Sequence, residues 1–221
     1  MFLIICFLVL FARLILALRL RTAQLTRINL RTIVILGSGG HTAEMLTLLG
    51  KFNLQTYSPR RYIVAATDNM SGQKAHAFEA VGAAGSTAVA ASASSGSHNY
   101  NDFEIIAIPR SREVGQSFRS STWTTLVAAA YAVRAVLSFK PDLVLTNGPG
   151  TALPVVIAAL LGKLLGISSP GIVYVESIAR VKHLSLTGKI LYHLRLTDEF
   201  LVQWEELSRL YPRAVYSGRL M

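Results

Sequence analysis

Six short apolar runs rich in β-branched residues alternate along this chain with longer stretches of helical periodicity, and no other feature limits the fold as much. The runs are Thr32–Leu36, Tyr62–Ala66, Glu104–Ile108, Leu143–Thr146, Ile172–Val175 and Glu199–Gln203. The helical stretches are Thr42–Lys51, Ser71–Val81, Thr122–Phe139, Ala152–Leu165, one near Leu186–Leu194, and Glu205–Leu210. The runs are mostly continuous in apolar character, as in parallel strands covered by helices on both faces. Strand–helix–strand repetition of this kind predicts an α/β fold with a Rossmann-like, doubly wound parallel sheet. Residues 32–221 suffice for one such domain with a real core, and are too few for two.

Ahead of that domain lies Met1–Leu18, apolar except for Arg13, followed by Arg19, Arg21, Arg27 and Arg31 with no acid among them. A spanning helix needs about 20 apolar residues, and Arg13 can snorkel to the interface on its long stem. A cleaved leader would carry its basic residues before the apolar core; here they follow it. The pattern predicts an uncleaved membrane anchor over 1–18 and a basic juxtamembrane linker over 19–31, with the domain on the cytosolic side. A helix lying flat in the interface is the alternative. The net charge of +10 suits an anionic membrane face or a phosphorylated substrate; no nucleic-acid module pattern accompanies it. Cys6 is the single cysteine, and the five histidines are scattered without zinc spacing, so no structural metal is expected. Gly82–His98 is poor in bulky apolar residues and uncharged, and reads as a disordered surface insertion.

In a doubly wound sheet, ligands bind beyond the carboxyl ends of the strands, where strand order reverses. The loop after the first strand is Gly37-Ser38-Gly39-Gly40-His41-Thr42. Glycines there let the backbone approach a phosphate at a helix N-terminus, and a histidine beside it is a candidate proton carrier; the plainer reading is a strand–helix turn that uses glycine for geometry. The loop after the fourth strand holds Asn147, Gly148, Pro149, Gly150 and Thr151, which serve either as a second ligand loop or as a Pro-Gly turn with Thr151 as helix cap. Asp68 and Ser71 end the second strand, with Ser71 also a candidate cap. Arg110 and Arg112 follow the third strand and match phosphate oxygens in bidentate geometry, unless they pair with Glu113 on the surface. Glu176 ends the fifth strand, where a carboxylate would orient a sugar hydroxyl or act as a base, or else pair with Arg180. Because Gly37–Thr42 nearly matches G-x-G-x-x-G, with Asp68 as ribose acid, a nicotinamide-dependent oxidoreductase is the alternative reaction class; Thr42 stands in place of the last glycine.

Together, GSGGHT at 37–42, ATDNMS at 66–71, IPRSREVGQS at 108–117, TNGPGT at 146–151 and YVESIARV at 174–181 resemble a known family. It is the membrane-anchored subunit of the dolichol-linked UDP-N-acetylglucosamine transferase, which adds the second sugar of the N-glycan precursor. The resemblance runs from the anchor to the C-terminus; the Gly82–His98 segment is its one evident departure. It implies one half of a split GT-B glycosyltransferase, on the acceptor side, similar to the N-terminal half of the bacterial lipid-linked transferase of peptidoglycan synthesis. A small soluble partner subunit would hold UDP-GlcNAc, and the acceptor would be GlcNAc-diphosphodolichol at the cytosolic face of the endoplasmic reticulum membrane. Transfer would be inverting, with no metal and no cofactor. His41 or Glu176 would take the proton from the acceptor 4-hydroxyl, while the amides of Gly39 and Gly40 with Arg110 and Arg112 hold the diphosphate. Ser217, Gly218, Arg219, Leu220 and Met221 would dock the partner; a frayed terminus is the alternative.

Overall fold

The computed structural model describes residues 29–90, 102–109 and 118–221. The expected anchor, the linker up to residue 28, residues 91–98 of the insertion, and Arg110 and Arg112 lie outside the described residues. Among the described residues no helix is long and apolar enough to cross a membrane.

The chain alternates β1 (Thr32–Ile35), α1 (Gly40–Leu49), β2 (Arg60–Ala65), α2 (Asn69–Ala90), β3 (Phe103–Ile108), α3 (Phe118–Phe139) and β4 (Leu143–Thr146). It continues through α4 (Ala152–Leu165), β5 (Gly171–Val175), α5 (Leu186–His193), β6 (Glu199–Val202), α6 (Glu205–Leu210) and β7 (Val215–Tyr216). The strands form one sheet in the order β3-β2-β1-β4-β5-β6-β7. Every pairing is parallel. Strand order reverses at β1 and β4, whose register pairs Thr32 with Leu143 and Ile35 with Thr146. The predicted doubly wound sheet is therefore present.

The apolar runs are continuous because both faces of the central strands are buried. Ile33 and Ile35 point into one core, beside Val144 and Ile172, and meet Val136 and Phe139 of α3, Val155 and Ala159 of α4, and Leu191 of α5. Val34 and Leu36 point into the other, with Tyr62, Val64 and Leu145, against Met45, Leu48 and Leu49 of α1 and Ala75 of α2. Ile33 to Ile35 of β1 and the following Leu36 have no exposed surface, so a polar residue at any of these four positions would be stranded.

Three features depart from the sequence reading. Helix α2 runs nine residues past Val81, through Gly82–Ala90, into the segment expected to be disordered. Ala83, Ala84, Ala88 and Ala90 are strong helix formers and favour continuing a helix already nucleated. Strand β2 begins at Arg60 instead of Tyr62. The third is the two-residue edge strand β7, whose pairing joins Leu201 to Val215 and Val202 to Tyr216.

Candidate functional site

Beyond the carboxyl end of β1 the chain turns through Ser38 and Gly39 into α1. Gly39 has φ 63° and ψ −114°, a conformation that L side chains rarely adopt. Helix α1 starts without a side-chain cap, which leaves its leading amide groups for solvent or a ligand. A Cβ built on Gly39, Gly40 or Gly150 would meet nothing within 4 Å, so the mouth of both glycine loops is open. Deeper, the loops touch: a Cβ on Gly37 would lie 2.7 Å from Pro149 Cβ and 2.8 Å from His41 Cβ. The topology thus brings together the two loops singled out in the sequence.

His41, on the first turn of α1, is about one-third exposed, and its Nδ1 lies 3.8 Å from Glu44 Oε2. Glu44 is the functional-site residue that the sequence reading missed. Its Oε1 accepts a hydrogen bond from Ser177 Oγ (2.8 Å) in the loop after β5. Its Oε2 accepts one from Asn147 Nδ2 (3.2 Å) in the loop after β4. Asn147 Nδ2 also donates to the carbonyl of His41 at 2.7 Å. One carboxylate on α1 therefore joins the loops after β4 and β5 to that helix. The available signal was spacing, since residues three apart on a helix share a face. His41 Nδ1, Asn147 Oδ1 and Thr151 Oγ1 are buried without hydrogen-bond partners. Thr151 precedes α4 but makes no capping bond, so the capping role does not account for its hydroxyl.

Other predicted residues support the loop from within. Thr42 is fully buried, and its hydroxyl donates to the Gly37 carbonyl. Ser71 Oγ lies 2.6 Å from Thr42 Oγ1 and 3.0 Å from the same carbonyl, and donates to Asp68 Oδ2 at 2.6 Å. Asp68 Oδ1 accepts from the amides of Met70 and Ser71 at the start of α2. Thr42 and Ser71 are buried within this network, and the half-buried Asp68 joins it from the start of α2. The nicotinamide reading finds no support: Thr42 fills the place of the third glycine, and Asp68, its ribose acid, caps α2.

Glu176 is brought to the same end of the sheet but has no exposed surface. Its Oε1 accepts from Ser177 N (3.0 Å) and its Oε2 from Ser185 N (2.9 Å). Ser185 caps α5 by accepting from Gly188 N (3.0 Å) and lies 2.9 Å from the Tyr174 hydroxyl. A Cβ on Gly188 would collide with Glu176 Oε2 and come within 3.0 Å of the Tyr174 oxygen. Burial pushes the Glu176 carboxyl above its ordinary range, opposed by the two amides. This carboxylate locks the β5–α5 connection and faces protein on every side, and the expected pairing with Arg180 is not how it is held.

The C-terminal tail is folded back on the sheet. The amides of Leu220 and Met221 donate to Gln203 Oε1 at 3.1 and 3.0 Å. Gln203 Nε2 donates to the carbonyl of Glu176 at 2.9 Å. Arg219 lies over the Trp204 ring at 4.6 Å, while Leu220 and Met221 pack on the core beside α1. The alternative of a frayed terminus does not hold here, since the tail is bonded to Gln203.

A family model described as "Oligosaccharide biosynthesis protein Alg14 like" matches residues 32–220, nearly all of the folded domain. The chain belongs to the Alg14 family. Relatives of this Alg14-family chain carry the name UDP-N-acetylglucosamine transferase subunit ALG14. The Mus musculus protein is 46% identical over 195 residues, which is 88% of this chain and 85% of the relative. The Homo sapiens protein is 46% identical over 203 residues, 91% and 88% of the two chains. The Yarrowia lipolytica protein is 39% identical over 193 residues, 87% and 82%. In fold, 80% of the Alg14-family chain superposes on 42% of MurG from Acinetobacter baumannii, with TM-score 0.53 and 15% identity. The match is to less than half of the larger chain, in keeping with a single Rossmann-like unit.

Proposed function

We propose that this chain is the acceptor-side subunit of a two-chain UDP-N-acetylglucosamine transferase. It anchors the complex in the endoplasmic reticulum membrane, with the domain facing the cytosol, and binds GlcNAc-diphosphodolichol. A small soluble partner holds UDP-GlcNAc. The observation that carries this reading is the convergence at β1 and β4 of open glycine loops, a histidine about one-third exposed and three partnerless buried polar atoms. Such a crevice binds an anionic, hydroxyl-rich ligand.

In the proposed reaction His41 accepts the proton of the acceptor 4-hydroxyl as that oxygen attacks the anomeric carbon of the donor. The bond from that carbon to UDP breaks, UDP departs with the electron pair, and the configuration inverts. Imidazole titrates near neutral pH and is suited to this role. Glu176 is the poorer candidate because it is buried and already holds two amides. The amides of Gly39 and Gly40, with Arg110 and Arg112, hold the lipid diphosphate; Asn147 Oδ1 and Thr151 Oγ1 are available to sugar hydroxyls. Keeping the acceptor in the same membrane raises its effective concentration at the crevice.

The test uses membranes containing this chain with and without the soluble partner, labelled UDP-GlcNAc and a lipid-diphosphate GlcNAc acceptor. Transfer is expected only when both chains are present, and to drop about a hundredfold or more in His41→Ala. No transfer by the paired chains overturns the proposal. Full activity in His41→Ala leaves this chain a membrane recruitment scaffold, with the chemistry on the partner.

A further inference from the structure

We propose that Glu44 is a positioning residue for His41: its carboxylate faces Nδ1, directs Nε2 at the acceptor hydroxyl and stabilises the imidazolium as it forms. This rests on the assignment of His41 as the base. Although the His41 side chain is 36% exposed, its Nδ1 is shut off from solvent, so solvent and substrate reach the ring by its other edge. Among the described residues the ionisable group facing Nδ1 is Glu44, at 3.8 Å, a gap that a small rotation of the imidazole closes into a hydrogen bond. A proton held on Nδ1 leaves the Nε2 lone pair free to take another, and a nearby carboxylate favours the cation that results.

Glu44 is itself fixed. Ser177 Oγ holds Oε1 and Asn147 Nδ2 holds Oε2, so the carboxylate is pinned from the loops after β5 and β4 while its backbone rides on α1. The plane and height of the carboxyl group are therefore set before substrate arrives, which is what orienting a catalytic side chain requires. The competing explanation is that Glu44 only staples two loops to α1. An amide would serve a staple almost as well. In Glu44→Gln the oxygen can still accept from Asn147 Nδ2, and the new NH2 can donate to Ser177 Oγ, a hydroxyl that accepts as readily as it donates. The substitution keeps the staple and removes the charge.

The measurement is kcat and acceptor KM for the full complex in membranes, for wild type, His41→Ala, Glu44→Gln and the double variant, with thermal midpoints alongside. Glu44→Gln is expected to lower kcat about tenfold or more, with KM and the thermal midpoint unchanged. Adding it to His41→Ala should cost nothing further, because its effect passes through the histidine. Wild-type kcat in Glu44→Gln, or an equal loss in both backgrounds, overturns the positioning role while leaving His41 as base. Full activity in His41→Ala overturns the base assignment and this proposal with it. Should Glu44→Gln fail to accumulate, Glu44→Asp, which keeps the charge, should outperform Glu44→Ala; equal losses in those two overturn the proposal.

Discussion

Glu176 shows how a carboxylate can sit at the right end of a parallel sheet and still not face the ligand. Its charge is taken from water and met by two backbone amides, and burial dominates, so the group is held above the ordinary value of 4.5. The folded state then keeps a proton that the unfolded chain would release. The contribution of this group to stability is full below pH 4.5 and is lost as pH rises through the raised folded value. Unfolding followed from pH 4 to 8 should show that loss in wild type and a flatter profile in Glu176→Gln; matching slopes would refute it. Gly188 bears on the same carboxylate through space. In Gly188→Ala the new methyl meets Glu176, Tyr174 and Ser185 at once, and overpacking of this kind costs about 1–3 kcal/mol, readable as a lowered denaturation midpoint. The sequence marks both ends of this contact only faintly, because a strand-end acid and a first-turn helix glycine acquire their meaning when α5 folds over β5. Only the spacing from His41 marks Glu44 in the sequence, for the same reason: Ser177 and Asn147 are 133 and 103 residues away along the chain. His41 and Gly37, by contrast, lie in a local motif whose backbone needs are visible in the letters.

At the scale of elements, the strands that read most clearly were those with apolar side chains on both faces. Strand β2 was read two residues short because it opens on Arg60 and Arg61, residues that seldom lie in a buried sheet. The pairing partners explain them. Arg60 Nε and Nη2 donate to the two oxygens of Glu79 on α2, each at 2.6 Å, and the Tyr62 hydroxyl donates to Glu79 Oε1 at 2.6 Å. Arg61 points to the opposite face, donates to the Ala135 carbonyl and to Ser138 Oγ on α3, and lies 4.5 Å from the Phe139 ring centre. Adjacent residues of one strand thus bolt helices to both faces of the sheet. Arg60 and Glu79 are 1% and 2% exposed, so removing one strands the other's charge. Glu79→Ala should cost about 3–5 kcal/mol and abolish folding in a marginal background. Glu104 is 48% exposed where it meets Arg61, and Glu104→Ala should cost under about 1 kcal/mol. Comparable losses for the two acids would show that burial is not what sets the difference.

At the scale of the whole molecule, the two faces of the sheet are covered unequally. Helices α3 to α6 pack on the first core, whereas the second draws on α1, α2 and the last two residues of the chain. Leu220 and Met221 stand there beside Val173 and Leu201, which are only partly buried. Beyond them the sheet ends in β7, whose Val215 and Tyr216 are 45% and 44% exposed. A sheet flank covered by a tail and ending in an exposed apolar strand is the natural place for a second chain to complete the fold. The polar thread from the Leu220 and Met221 amides through Gln203 to the Glu176 carbonyl fixes the tail in register with the loop that also holds Ser177. Deleting Ser217–Met221 should therefore release the soluble partner from membranes, measured by co-fractionation with the full chain as control. Gln203→Leu provides a finer cut, since it keeps the tail's length and apolar residues but removes its anchor. It should weaken partner retention by less than the deletion, because Arg219 over Trp204 and the packing of Leu220 and Met221 persist. If the deleted chain still carries its partner to the membrane, docking lies elsewhere on the domain and the tail serves only to cover its own sheet.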